Sequence, residues 1–149
     1  MIISDWIAVI ALIVSIASIF TSFIIENKRL KRESDAKFFQ DIYFRYMKVQ
    51  IPIAESNISF DSSSNKLNGI KGIQKVLIAL RKKSSPYRFL DKNFYDKFIK
   101  VLENVEDFYI DSLNKVQDSY RYENFQNESR NKISELYSIL NKKFTNKKF

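Results

Sequence analysis

From Trp6 to Ile25 the chain runs without a charged residue and is rich in Ile, Val and Ala; beyond it, apolar positions recur every three or four residues among polar ones. About 20 consecutive apolar residues is the length a helix needs to cross the ~30 Å hydrocarbon core of a bilayer. The stretch is therefore expected to be a transmembrane helix. A cleaved signal peptide fits less well. The segment has no basic residues ahead of it, Asp5 precedes it, and it runs into Glu26-Asn-Lys-Arg-Leu-Lys-Arg32 instead of a small-residue cleavage site.

The periodic part predicts four further helices. The first carries Phe38, Phe39, Ile42, Tyr43, Tyr46, Met47 and Val49, and should stop near Ile51-Pro52, because proline lacks an N–H and disfavours helix in the residue before it. Residues 55–68 are rich in Ser and Asn and read as a loop. A second helix places Ile70, Ile73, Val76, Leu77 and Leu80 on one face before Arg81–Lys83 and Ser84-Ser85-Pro86 end it. A third, with Asp91 as its cap, carries apolar residues from Phe94 through Leu113 and Val116 to Tyr120, and a fourth spans about 124–143. Two Gly and two Pro in 149 residues argue against turn-rich β architecture. The expected fold class is all-α: one N-terminal transmembrane helix (residues 1–27 as the anchor) followed by a basic cytoplasmic bundle of about four helices (residues 28–149).

Within the apolar stretch, Ser4, Ala8, Ala11, Ser15, Ser18 and Ser22 follow at steps of four and three. Such a stripe is one seam on a helix. Small residues let helices approach closely in lipid, so it points to a homo-oligomer or to docking on a partner membrane protein. The alternative is that Ala and Ser are simply common in such helices.

Charge then orients the molecule. All 25 Lys and Arg fall at or after Lys28, with 15 of the 17 Asp and Glu, leaving +10 from Lys28 onward. Lys28, Arg29, Lys31 and Arg32 directly follow the apolar stretch, which by the positive-inside rule puts the N-terminus outside and the C-terminal region in the cytoplasm. A basic domain favours anionic partners: membrane lipid, nucleic acid or an acidic protein. Lys71, Lys75, Arg81, Lys82 and Lys83 are candidate anion-binding residues, and Gly69 and Gly72 at the start of their helix invite a phosphate-binding reading; a tight turn or close packing is the plainer role for two such glycines.

The absence of Cys and His excludes disulfides, thiolate nucleophiles, Cys/His metal sites and His-based triads. Glu103, Glu106, Asp107 and Asp111 could share a helix face around a hard cation, but a solvated face or pairing with basic residues accounts for them better. The residues imply no catalytic group, metal or cofactor, so a non-enzymatic protein is expected.

A membrane segment, a basic stretch, the Phe38-Phe39 helix, a polar loop and the sequence Lys71-Gly72-Ile-Gln-Lys-Val-Leu77 together resemble the phage abortive-infection membrane proteins of bacteria, over roughly residues 5–85. The resemblance implies anti-phage defence by an anchored protein that senses infection or damages the host membrane. It carries over no catalytic residue.

Overall fold

In the computed structural model, which describes residues 3–115 and 118–145, helix α1 (Ile3–Phe38) passes directly into a π-helix (Phe39–Gln50) and then into α2 (Ile51–Ser56). The helix therefore does not stop at Ile51-Pro52. Pro52 occupies the first turn of α2, where a missing N–H costs least. Ahead of it the chain is in the wider π register, in which the Ile51 N–H donates to the Tyr46 carbonyl five residues back. The buried residues Phe38, Ile42, Tyr46, Met47 and Ile51 accordingly recur at four and five, and Val49, expected on the apolar face, is exposed.

Residues 55–68 are not an open loop. Strands β1 (Ser59–Asp61) and β2 (Lys66–Asn68) form an antiparallel hairpin that pairs Phe60 with Leu67. At its tip the Asp61 carboxylate accepts the Ser63 N–H at 2.9 Å and the hydroxyls of Ser63 and Ser64 at 2.6 and 2.7 Å, while Asn65 takes the left-handed backbone (φ 50°). Ser, Asp and Asn thus close a turn through their own side chains, which the polar composition concealed. The fold remains all-α, with this hairpin as its β element among the described residues.

Helix α3 (Ile70–Ser84) buries Ile70, Ile73, Leu77 and Leu80, and a 3₁₀ turn (Ser85–Phe89) links it to α4 (Lys92–Lys115). Asp91 caps α4, accepting the Phe94 N–H at 3.1 Å. The third helix does not run on to Tyr120, because Asp118 caps α5 (Ser119–Thr145) by accepting the Arg121 N–H at 2.8 Å. Tyr120 is an exposed residue of α5 and Leu113 is exposed on α4, whereas Val116 lies outside the described residues.

Two compact units result, residues 1–37 and residues 38–149. The second is the bundle: α4 packs on α3 and α5, and α3 also contacts α2 and the π-helix. Its core is a seam of α4 (Phe94, Phe98, Leu102, Val105, Tyr109) against one of α5 (Phe125, Ile133, Leu136, Leu140). The aromatic residues pack on one another. Phe38 meets Tyr87 at 4.2 Å between ring centroids and Phe94 edge-on at 5.6 Å, and Phe108 stacks on Phe125 at 5.5 Å.

Candidate functional site

The first unit is a helix with nothing packed over its described apolar side chains. All of its described Ile, Leu, Val and Phe residues from Ile7 to Ile25 are exposed, as is Trp6 at the N-terminal end of the stretch. It is the one helix among the described residues long and apolar enough to cross a membrane. At the centre of a bilayer each such Leu, Ile, Phe or Val favours insertion by about 0.3–0.6 kcal/mol, so the surface is costly in water and favourable in lipid.

The helical backbone places the small residues on one stripe, and Ala8, Ala11, Ser15, Ser18 and Ser22 are exposed along it. Ser4 is helical, but its side chain lies outside the described set. The hydroxyls of Ser15 and Ser18 donate to the carbonyls of Ala11 and Val14 at 2.8 Å, and Thr21 does the same to Ala17. These polar groups are satisfied within the helix, as a hydrocarbon environment demands. What the stripe offers a neighbouring helix is close approach. Lys28, Arg29, Lys31 and Arg32 are helical and exposed; Arg29 pairs with Glu26 at 2.8 Å and with Glu33 at 3.7 Å.

In the second unit the candidate anion-binding residues separate into two groups. Lys71, Lys75 and Lys82 fall within 40° of one line along α3 at 100° per residue, together with exposed Ile78. Arg81 and Lys83 sit on the flanks of the helix and are engaged. Arg81 reaches Glu103 at 3.6 Å and hydrogen-bonds Glu106, and Lys83 lies 3.4 Å from Asp41. Gly69 caps α3 in the left-handed region (φ 87°), where a Cβ would stand 2.2 Å from the Asn57 carbonyl oxygen, while a Cβ on Gly72 would meet nothing. Gly69 serves a tight turn and a close backbone approach.

The acidic residues of α4 divide similarly. Glu103 and Glu106 face Arg81, and Asp107 and Asp111 are exposed. Among the described residues no group of three or more acidic side chains is placed to hold a metal ion. Burial raises the Glu106 carboxyl above its ordinary range against the opposing pull of Arg81, and the charges of Glu103 and Asp107 add to the rise. One Glu106 oxygen bonds the guanidinium; the other is buried without a hydrogen-bond partner, as is Arg81 Nε.

A polar chain that the sequence did not reveal crosses the bundle from α4 to α2. Ser129, 2% exposed, donates to Glu55 Oε1 at 2.9 Å, and its oxygen lies 2.7 Å from the Tyr109 hydroxyl. A serine has one proton to give, so Tyr109 must be the donor to Ser129. Burial pushes the Tyr109 hydroxyl up to about 12. Glu55 and Ser129 line a half-open cleft of about 320 Å³ with Pro52, Tyr122, Phe125 and Arg130. Glu55 and Ser129 are 74 residues apart, so no local spacing announces them.

Searches against protein-family models, curated proteins and solved structures found no match to this chain.

Proposed function

We propose that this chain is a single-pass protein of the bacterial inner membrane, with the N-terminus outside and the basic helical unit in the cytoplasm, acting without enzymatic chemistry as an oligomeric component of anti-phage defence. The observation that carries the membrane reading is the wholly exposed apolar surface from Trp6 to Ile25, followed at once by Lys28, Arg29, Lys31 and Arg32. Oligomerisation is supported by the Ala8–Ser22 stripe, whose Ser15 and Ser18 hydroxyls are already satisfied and whose small side chains admit a second helix. The defence role is drawn from the resemblance. The residues that carry that resemblance include Phe38, Ile73 and Leu77, which are core residues here and so speak first to fold.

Because the chain has no Cys, single cysteines report cleanly. Ser15→Cys should form a disulfide-linked dimer in membranes, and monomer under conditions that crosslink a known dimer removes the oligomer. A cysteine at Asn141, in contrast with one at Asp5, should resist an impermeant maleimide on intact cells; the reverse labelling inverts the topology. Expression should lower the plating efficiency of some phages in a diverse panel, and no protection, alone or with genomic neighbours, ends the defence reading.

A second reading, a membrane-tethered adaptor, is favoured by Lys71, Lys75 and Lys82 on one open face of α3. Binding to nucleic acid or an acidic protein there should weaken steeply with salt. Salt-insensitive binding, or none, counts against it.

A further inference from the structure

Phe89 is 89% exposed, more than any other large hydrophobic side chain among the described residues, and Leu90 beside it is 55% exposed. Both stand on the short turn between α3 and α4. The turn is held firmly from within. Tyr87 is buried, with its ring 4.2 Å from Phe38 and 5.7 Å from Phe94, and its carbonyl accepts the N–H groups of Leu90 at 3.1 Å and Asp91 at 3.0 Å. Pro86 brings no N–H of its own. The turn therefore presents two apolar side chains on a backbone that makes much of its own hydrogen bonding, which lowers the cost of leaving water.

The surrounding charge is one-sided. Asp41, Asp91 and Asp96 are paired with Lys83, Lys143 and Lys92 respectively, whereas Lys82 and Arg88 are exposed and make no ion pair among the described residues. An aromatic tip with a basic rim matches the boundary of an anionic bilayer, with apolar side chains at the acyl edge and cations at the phosphates. Phe38, on which Tyr87 packs, is also the first residue of this unit. Residues 26–37 separate it from the apolar stretch, so with that stretch in a bilayer a lipid contact by this unit is intramolecular and even a weak one is effective.

We propose that the Ser85–Leu90 turn is a second membrane contact, with Phe89 and Leu90 entering the headgroup region of an anionic bilayer and Lys82 and Arg88 against its phosphates. This rests on the membrane-spanning reading of α1, and the test separates the two. Full-length protein is placed in phosphatidylcholine nanodiscs containing phosphatidylglycerol, with brominated acyl chains as quencher. One form keeps Trp6, the single tryptophan; the other carries Phe89→Trp in a Trp6→Phe background.

Quenching of both tryptophans is expected, with the signal at position 89 falling at least about twofold in discs of phosphatidylcholine alone, since each near-surface cation strengthens anionic-lipid binding roughly fivefold. Quenching of Trp6 without quenching at position 89 overturns the second contact and leaves the anchor standing. Loss of quenching at Trp6 overturns the anchor. A blue-shifted but unquenched tryptophan at position 89 means a protein surface covers the turn, and this too overturns the proposal. Equal quenching in both lipids removes the role given to Lys82 and Arg88.

Discussion

The Tyr137 hydroxyl donates a hydrogen bond to the carbonyl of Met47, the acceptor that Pro52, lacking an N–H, leaves open in the five-residue register of the π-helix. A side chain from α5 thus completes the backbone of the segment where proline was expected to end a helix. The Tyr137 hydroxyl is held above its ordinary pKa by burial first, with Tyr43 and Glu55 adding to the effect. Tyr137→Phe leaves that carbonyl without this donor and should destabilise the second unit by about 1–2 kcal/mol. Denaturant unfolding of the detergent-solubilised chain checks this, and an unchanged midpoint would mean that the proline gap is filled in another way.

Gly69 and Gly72 should respond oppositely to alanine. At Gly69 the left-handed backbone and the 2.2 Å approach to the Asn57 oxygen both oppose a Cβ, so Gly69→Ala should cost more than about 2 kcal/mol. At Gly72 the space is open and the residue is helical, so alanine should be neutral or stabilise by up to about 1 kcal/mol. Thermal unfolding of the two variants side by side decides it; an equal response would contradict the turn described at Gly69.

Much of the fold was legible because it follows from periodicity. The steps of four and three along Phe94, Phe98, Leu102, Val105 and Tyr109 are the core seam of α4, and Asp91 is its cap as its position suggests. What was not legible depends on contacts distant in sequence. Pro52 reads as a terminator until Tyr137 is brought beside Met47, and Ser62–Asn65 reads as loop because its turn is closed by side-chain oxygens instead of Gly or Pro. The five candidate anion residues look like one cluster on α3, but Arg81 and Lys83 are claimed by carboxylates on α4 and the π-helix. Phe89 falls in an apolar spacing that continues into Phe94, and nothing local marks it as exposed.

Two carboxyls should give the acid limb opposite contributions. The Ser63 and Ser64 hydroxyls and the Ser63 N–H hold Asp61 down at about 2, so its stabilisation is present above the ordinary value of 3.8 and is lost as pH falls toward 2. Glu106 is shifted upward, so the stability linked to it is present below its ordinary value of 4.5 and is lost as pH rises through its folded value. Asp61→Asn should therefore flatten the loss of stability between about pH 4 and 2, and Glu106→Gln should flatten the decline above about pH 4.5. Unfolding midpoints measured across that range test each sign separately. A steeper slope in either variant would refute the assignment.

The Tyr109–Ser129–Glu55 chain has a direction, and the direction predicts an asymmetry. Tyr109→Phe removes the first donor but leaves Ser129 bonded to Glu55, so the loss should be about 1 kcal/mol. Ser129→Ala deprives the buried Tyr109 hydroxyl of its acceptor and Glu55 of its donor together, and should cost about 2–3 kcal/mol. The same chain is visible on the alkaline side. With Tyr109 raised to about 12 and its unfolded value near 10, its contribution is complete below pH 10 and lost as pH rises toward 12. Spectrophotometric titration should show one late-ionising tyrosine fewer in Tyr109→Phe than in the intact protein, where Tyr137 is raised as well. Equal losses in the two variants would mean that Tyr109 and Ser129 are not coupled in the order drawn.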